Sequence, residues 1–239
     1  MHVAFLSLIL IYTAFFICVV FRRVTKIMDI PATEKIKCGT YYHLICGLWG
    51  GAFAVLIMCL SAGVSLEDIG FRQMKFNYGT GFTAVNLSLC GLLFIYGLYQ
   101  LISSLASAKY KEAAEKQMES NVVLSGILPR SRKEKRLFSF LSLSAGVCEE
   151  IIFRGFMLYL LQAIYPEIPL FLVILIPSVL FGISHFYQRM QGIIMSAVLG
   201  AIFMCLFLVT NNLVLAIFLH FFHDFSATFL LSEKNEAEG

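Results

Sequence analysis

Long apolar runs are the feature that most restricts what this chain can fold into. A transmembrane α-helix needs about 20 consecutive apolar residues, because it rises about 1.5 Å per residue through a hydrocarbon layer about 30 Å thick. Seven such runs occur, near residues 3–21, 41–64, 82–103, 137–163, 168–187, 190–209 and 211–231. Hydrophobic residues make up 59% of the 239 residues and charged residues 14%, which excludes an ordinary soluble domain. The sequence therefore predicts an all-α, polytopic transmembrane helix bundle of about seven spans.

The connections between the runs indicate how the helices are arranged. No basic residue precedes the first run and two arginines follow it, the reverse of a secretory signal, so we expect a retained span. The last four runs are joined by short connections around Pro166, Gln188–Arg189 and Asn211–Asn212, which favours antiparallel neighbours. We therefore divide the chain into N-terminal transmembrane helices with a basic loop (1–136), a four-helix core (137–231) and an acidic tail (232–239).

The basic residues are distributed unevenly among the loops. With seven alternating spans, loops 22–40 and 104–136 share one side with the 188–189 turn and the tail, and this side carries 15 of the 18 Lys and Arg residues. The opposite side carries only Arg72 and Lys75. Because basic loops stay in the cytoplasm, we expect the N-terminus outside and the C-terminus in the cytoplasm. The expected location is a bacterial cell membrane.

Cysteine usage and net charge exclude several classes of protein. The seven cysteines are odd in number and include no Cys-x-x-Cys pair, so neither a disulfide framework nor a zinc ribbon is indicated. A net charge of +3 is too small to indicate nucleic-acid binding. The partners expected are therefore the lipid bilayer and a peptide or membrane-protein substrate, not nucleic acid.

Two local patterns predict structure and not chemistry. Gly192, Ser196 and Gly200 recur every four residues, and small residues at this spacing let membrane helices approach closely. Ser65 and Asp68 have the spacing of a helix-capping box, which predicts a short surface helix before Gly70.

Three charges interrupt the fourth apolar run and mark it as the default functional site. Charged side chains inside a membrane span are costly and usually face a bundle interior or a watery cavity. On a helix advancing about 100° per residue, Glu150 and Arg154 lie on one face, whereas Glu149 points elsewhere. We therefore expect Glu150 and Arg154 to form an ion pair. Glu149 has no cation on its own helix to pair with. A carboxylate that is not held in an ion pair is available as a general base.

Histidines on two later spans provide partners for Glu149. His185 ends the Phe-x-x-x-His pattern that begins at Phe181, and His220 and Asp224 share a helix face. An isolated histidine in an apolar helix is more often structural than catalytic. Here three spans each contribute polar groups, and helix rise places Glu149 and His220 in the cytoplasmic half of the bilayer.

Several chemistries remain open for this set. A carboxylate with imidazoles can activate water and stabilise an oxyanion, which would hydrolyse a peptide bond. Glu149, His185, His220 and Asp224 could instead hold zinc or another divalent metal, although no His-Glu-x-x-His motif is present. Cys148 is a weaker nucleophile candidate, because apolar surroundings disfavour the thiolate. A proton or ion pathway, or a catalytically silent scaffold or immunity protein, would also retain buried charges.

Taken together, the three motifs resemble those of one family. Glu-Glu-x-x-x-Arg, Phe-x-x-x-His and His-x-x-x-Asp occur in this order on successive apolar helices over about residues 137–231. They resemble the motifs of the CAAX protease and bacteriocin-processing (CPBP, or Abi) family of intramembrane endopeptidases, which includes the type II CAAX prenyl endopeptidases.

The resemblance implies a hydrolase, with roles for six residues. Glu149 would be the general base, His185 would position the water, and Glu150 with Arg154 would support them. His220 with Asp224 would stabilise the oxyanion, although the motif more often ends in Asn, and an ionised Asp cannot donate a hydrogen bond. No cofactor is required on this reading, and the choice between a glutamate and a metal mechanism stays open.

Overall fold

The computed structural model describes residues 33–76, 78–119 and 126–232, and regular structure in these ranges is helical throughout. The helices are α1 (Glu34–Ser61), α2 (Thr80–Ala106), α3 (Ala108–Glu119), α4 (Arg132–Glu150), α5 (Met157–Ile164), α6 (Leu170–Ser184), α7 (Arg189–Thr210) and α8 (Leu213–Ser226). A π-helical segment, Ile151–Phe156, joins α4 to α5, and 3₁₀ turns occur at Phe186–Gln188 and Ala227–Phe229. The apolar run at 3–21 and most of the acidic tail lie outside the described residues.

The helices coincide with six of the seven predicted spans. Glu34–Ser61, Thr80–Ala106 and Phe186–Thr210 are long and apolar enough to cross a membrane, and Leu170–Ser184 and Leu213–Phe229 are shorter apolar helices. The predicted span at 137–163 lies within the continuous helical segment from α4 to α5. Large apolar side chains stay exposed along α1 and α2, as lipid-facing helices require. The prediction of an all-α, integral membrane bundle is confirmed, while the total of seven spans stays a prediction.

Helix α4 begins at a fully formed capping box. The Ser131 side chain accepts a hydrogen bond from the Glu134 N–H, and the Glu134 carboxylate accepts from the Ser131 N–H. The same carboxylate is buried and lies 3.6 Å from Nζ of Lys37 on α1, which also donates to the Leu128 carbonyl at 2.8 Å. These contacts fix the start of α4 against α1, and α4 then carries its charged end into the bundle.

Two glycines on the segment from α4 to α5 permit close backbone approach. A Cβ at Gly146 would lie 2.9 Å from the Phe221 nitrogen and 3.1 Å from the Ile217 carbonyl oxygen, so α4 and α8 meet without a side chain between them. A Cβ at Gly155 would lie 2.3 Å from the Ile69 carbonyl oxygen. Real Cβ atoms do not come this close to backbone atoms, so both positions require glycine.

The small-residue pattern on α7 divides into two roles. Gly200 packs against α6, where its Cβ would lie 3.2 Å from both Phe181 and Ser178, as predicted for a helix-packing face. Gly192 is different, because its Cβ would lie 2.1 Å from Cβ of Gln188, the residue directly before α7. Gly192 therefore makes room for a preceding side chain, and the helix-packing role predicted for it stays a prediction.

The predicted helix after Ser65 is replaced by a turn. The capping contacts form, since the Asp68 carboxylate accepts from the Ser65 N–H at 2.8 Å and the Ser65 hydroxyl accepts from the Asp68 N–H at 3.2 Å. The Ser65 hydroxyl and N–H together hold the pKa of Asp68 below its ordinary value. A helix does not follow because Gly70 has a φ of 102° and Ile69 turns fully into the core. Core burial of Ile69 overrides the local capping signal.

The two ends of the bundle are held by different loops. At one end Arg72 donates through Nε to the Asn211 carbonyl at 3.1 Å, and the Lys75 N–H donates to the Thr210 carbonyl at 2.9 Å. At the other end Glu115 Oε1 accepts from Arg130 Nη1 and from the Ser232 N–H, both at 3.0 Å. The basic 104–136 loop and the chain end therefore meet, as the predicted topology requires. Which side is cytoplasmic stays a prediction.

Candidate active site

Glu150 is the centre of a buried polar cluster. Its Oε1 atom lies 2.9 Å from Arg154 Nη1 and 2.8 Å from His220 Nδ1, and the Glu150 side chain has no exposed surface. The Arg154 contact is an ion pair without the direction of a hydrogen bond, and Glu150 Oε2 has no hydrogen-bond partner among the described residues. Because a carboxylate can only accept, His220 donates from Nδ1. The expected ion pair is thus present, and Glu150 also holds His220.

Aromatic rings enclose the Arg154 and His220 side chains. The Arg154 guanidinium lies 4.3 Å from the Phe181 ring centroid and 5.5 Å from that of Phe203. Phe203 also stacks on His220, with 5.2 Å between ring centroids and 25° between ring planes. A cation over an aromatic face is stabilised, more so when water is excluded. These rings fix the orientation of both side chains.

Glu149 lies on the more open side of the same cluster. Its side chain is 13% exposed, and Oε2 lies 3.6 Å from His220 Nε2. Asp224 Oδ2 lies 3.7 Å from the same Nε2 atom, and the Asp224 side chain is 35% exposed. Both separations exceed a hydrogen bond, so a water molecule or a small polar group of a substrate can bridge these atoms. His220 therefore faces this open side with Nε2 and contacts the buried Glu150 with Nδ1.

His185 lies at the end of α6, and its tautomer follows from its partners. Nδ1 is 2.9 Å from the Phe181 carbonyl oxygen, which can only accept, so Nδ1 carries the proton and Nε2 has the free lone pair. The His185 ring lies 4.7 Å from the Phe181 ring, which in turn lies 5.9 Å from the His220 ring. Within the described ranges, the hydrogen-bond contacts of the His185 side chain are to Ser184 and to the Phe181 carbonyl, and none is to Glu149.

The structure assigns the orienting contact of His220 differently from the sequence. The sequence motif pairs His220 with Asp224, but the carboxylate at hydrogen-bond distance from the imidazole is that of Glu150, and Asp224 lies farther away. Sequence reasoning missed this contact because 70 residues separate Glu150 from His220. Sequence reasoning also missed the contact of Phe203 with this cluster. The sequence shows Phe203 only as one apolar residue in a predicted span next to the spans that carry the motifs.

The four candidate metal ligands do not form a metal-binding group in this arrangement. In the part of the chain that the structure describes, no three or more His, Cys, Asp or Glu side chains are placed to hold a metal ion. His220 also directs Nδ1 to Glu150, so only its Nε2 atom is available to a ligand. The cofactor requirement stays a prediction.

One comparison with known proteins finds a match. Residues 134–226 match the family model described as Rce1-like, Type II CAAX prenyl endopeptidase Rce1-like. No curated protein matches the chain. No solved structure matches it either. The matched segment runs from α4 to the end of α8 and contains all six candidate site residues, and for this segment the resemblance to the CPBP family is confirmed.

Proposed function

We propose that the protein is an intramembrane endopeptidase that hydrolyses a peptide bond in a membrane-associated peptide or protein. The observation that carries this proposal is the unequal placement of two adjacent carboxylates around one imidazole. Glu150 is fully buried and bonded to Nδ1 of His220, whereas Glu149 is partly exposed and faces Nε2 at 3.6 Å. One carboxylate is thus committed to structure, and the other is available to activate water. The family match of the segment supports membrane proteolysis.

Glu149 acts as the general base in this proposal. A water molecule bound between Glu149 and the imidazoles gives a proton to the carboxylate as its oxygen attacks the substrate carbonyl. The free lone pair of His185 Nε2 accepts a hydrogen bond from the other water hydrogen, which stays on the water oxygen, and so directs that oxygen. Glu149 then returns its proton to the leaving amine, so acid and base are the same group.

His220 stabilises the developing charge on the carbonyl oxygen as an imidazolium, whose Nδ1–H is bonded to Glu150 and whose Nε2–H is free to donate to that oxygen. Donors fixed before the reaction stabilise an oxyanion most, because they do not reorganise during it. The contact to Glu150 and the stack on Phe203 fix the His220 ring. Asp224, 3.7 Å from Nε2 and partly exposed, holds the imidazole electrostatically at the mouth of the site. Arg154 neutralises Glu150, which leaves Glu149 and Asp224 as the carboxylates near His220 Nε2.

Cleavage of a peptide library by the purified protein, beside a Glu149→Gln variant, tests the proposal. Loss of a general base is expected to lower kcat by about 10²- to 10⁴-fold. Glu112→Gln, on the exposed face of α3, is the matched control and is expected to cleave normally. Because the family description names a prenyl endopeptidase, the library contains prenylated and unprenylated peptides. Equal cleavage by wild type and Glu149→Gln would contradict the proposal.

The same experiment separates the other functions that the sequence left open. A chelator arm with metal analysis tests for a metal requirement. A proton or ion pathway predicts Glu149-dependent flux in liposomes without cleavage. A silent scaffold predicts that Glu149→Gln lowers stability as much as function, whereas a catalytic Glu149 predicts an inactive variant that melts at the wild-type temperature.

A further inference from the structure

The 3₁₀ turn Phe186–Gln188 places a phenol beside the candidate site. The Tyr187 ring lies 5.9 Å from the His185 ring, with 32° between their planes. Gln188 Nε2 donates a hydrogen bond to the Tyr187 hydroxyl oxygen at 3.2 Å. A phenol accepts and donates at the same time, and among the described residues the Tyr187 O–H has no acceptor. The hydroxyl therefore retains a donor for another group.

Ring contacts connect Tyr187 to the imidazoles of the candidate site. Its ring lies beside His185, the imidazole with the free Nε2 lone pair. The His185 ring lies 4.7 Å from the Phe181 ring, which lies 5.9 Å from the His220 ring. Tyr187 is thus next to one site histidine and one ring removed from the contact between Phe181 and His220.

The backbone around Tyr187 is built to hold this position. Arg189, directly after the turn, has a φ of 63°, which costs a non-glycine residue free energy and persists where surrounding structure enforces it. Gly192 has no side chain where Gln188 folds back, since a Cβ there would lie 2.1 Å from Gln188 Cβ. Gly192 therefore makes room for Gln188, which in turn orients the Tyr187 hydroxyl.

Apart from the buried Arg154 guanidinium, which is paired with Glu150, the candidate site otherwise has few hydrogen-bond donors. Ionised Glu149, Glu150 and Asp224 can only accept, and His220 already uses Nδ1 on Glu150. An oxyanion with a single donor, His220 Nε2, would be poorly stabilised next to two carboxylates. A neutral O–H at this site would supply the missing donor without adding a charge.

We propose, on the basis of the peptidase function above, that Tyr187 is a catalytic residue that donates its O–H to the oxyanion, with Gln188 as its positioning residue. As the water oxygen bonds to the carbonyl carbon, its proton passes to Glu149 and the carbonyl π electrons move to oxygen. Tyr187 keeps its proton and hydrogen-bonds that oxygen. On collapse the C=O bond re-forms, the C–N bond breaks, and the amine takes the proton from Glu149.

Tyr187→Phe tests this role, because it removes the donor and retains the ring. Loss of one oxyanion donor is expected to lower kcat by about 10²- to 10³-fold. The KM and the melting temperature are expected to stay near wild type, a split that a structural role would not produce. Tyr165→Phe, at an exposed tyrosine after α5, is the matched control and is expected to keep full activity. A Tyr187→Phe variant with wild-type kcat overturns the proposal.

Gly192→Ala provides an independent test through Gln188. Its added methyl displaces Gln188, so kcat is expected to fall in the wild-type background and to fall no further in the Tyr187→Phe background. Equal losses in both backgrounds would overturn the route through Gln188. The proposed function is judged separately. If Glu149→Gln is inactive and Tyr187→Phe is fully active, the peptidase function stands and only the role of Tyr187 is rejected. Absence of cleavage by the wild-type protein rejects both.

Discussion

Glu150 serves two partners with one oxygen. Its Oε1 atom lies at 2.9 Å from the Arg154 guanidinium and at 2.8 Å from His220 Nδ1. The arginine neutralises a carboxylate that is otherwise expensive to bury, and the histidine is oriented as a result. Pairing with Arg154 and orientation of His220 are thus joined at a single residue, while its neighbour Glu149 remains partly exposed.

Removal of the cation is expected to destabilise the protein strongly. Arg154→Met leaves Glu150 charged and fully buried, and loss of one partner of such a pair costs about 3–5 kcal/mol. Combination with Glu150→Gln removes the uncompensated charge, so the double variant is expected to regain part of the loss. Unfolding of detergent-solubilised protein, followed by temperature or denaturant, measures this. A double variant that is less stable than Arg154→Met alone would contradict the expectation.

At the residue scale, the sequence predicts contacts within one helix but not contacts between helices. The pairing of Glu150 with Arg154 follows from helical spacing alone, and the structure contains it. The contact of Glu150 with His220 depends on how two helices pack 70 residues apart, for which no local pattern exists. Tyr187 was missed for a related reason, because its position depends on a 3₁₀ turn and on the space left by Gly192.

At the scale of elements, the site depends on how closely α4 approaches α8. Gly146 on α4 lies against the backbone of Ile217 and Phe221, one turn before the two carboxylates. The π-helical segment Ile151–Phe156 then follows directly after Glu150, and such segments are frequent at functional sites. Together they place the end of α4 against His220.

An added methyl at Gly146 is expected to separate these helices. Gly146→Ala places Cβ at 2.9 Å from the Phe221 nitrogen, so α8 must shift and His220 moves with it. A misplacement of about 1 Å can cost roughly 10²-fold in rate, and we expect a kcat loss of that size together with a lower melting temperature. Gly91→Ala on α2, where no atom lies within 4 Å, is the control and is expected to be neutral. Normal cleavage by Gly146→Ala would contradict the role of this contact.

The long apolar runs predicted the helices better than the local helix-capping pattern did. The apolar runs found the membrane helices because burial of the backbone in lipid leaves few alternatives. The Ser65 capping pattern predicted a helix that does not form, since Ile69 is drawn into the core and Gly70 has a positive φ. The π-helical segment had no sequence signal, and its Gly155 packs against the backbone of Ile69, a residue far away in the sequence.

For the whole molecule, the loops form two distinct ends. Glu115 connects the basic 104–136 loop to Ser232, near the end of the described chain. Arg72 and Lys75 instead contact the turn after α7, at the opposite end. The grouping of loops agrees with the alternation of spans read from the sequence. Since basic loops stay in the cytoplasm, the end with Glu115 is expected to be cytoplasmic.

Cysteine accessibility in intact bacterial cells tests this orientation. In a background in which the seven native cysteines are replaced, Glu67→Cys and Ala113→Cys introduce one thiol at each end, both at exposed positions. A membrane-impermeant maleimide is expected to label Glu67→Cys in intact cells, and Ala113→Cys only after the membrane is opened. The reason is that 15 of the 18 basic residues are on the Ala113 side in the seven-span arrangement, where they resist translocation. The reverse labelling pattern would invert the topology and place the site in the outer half of the bilayer.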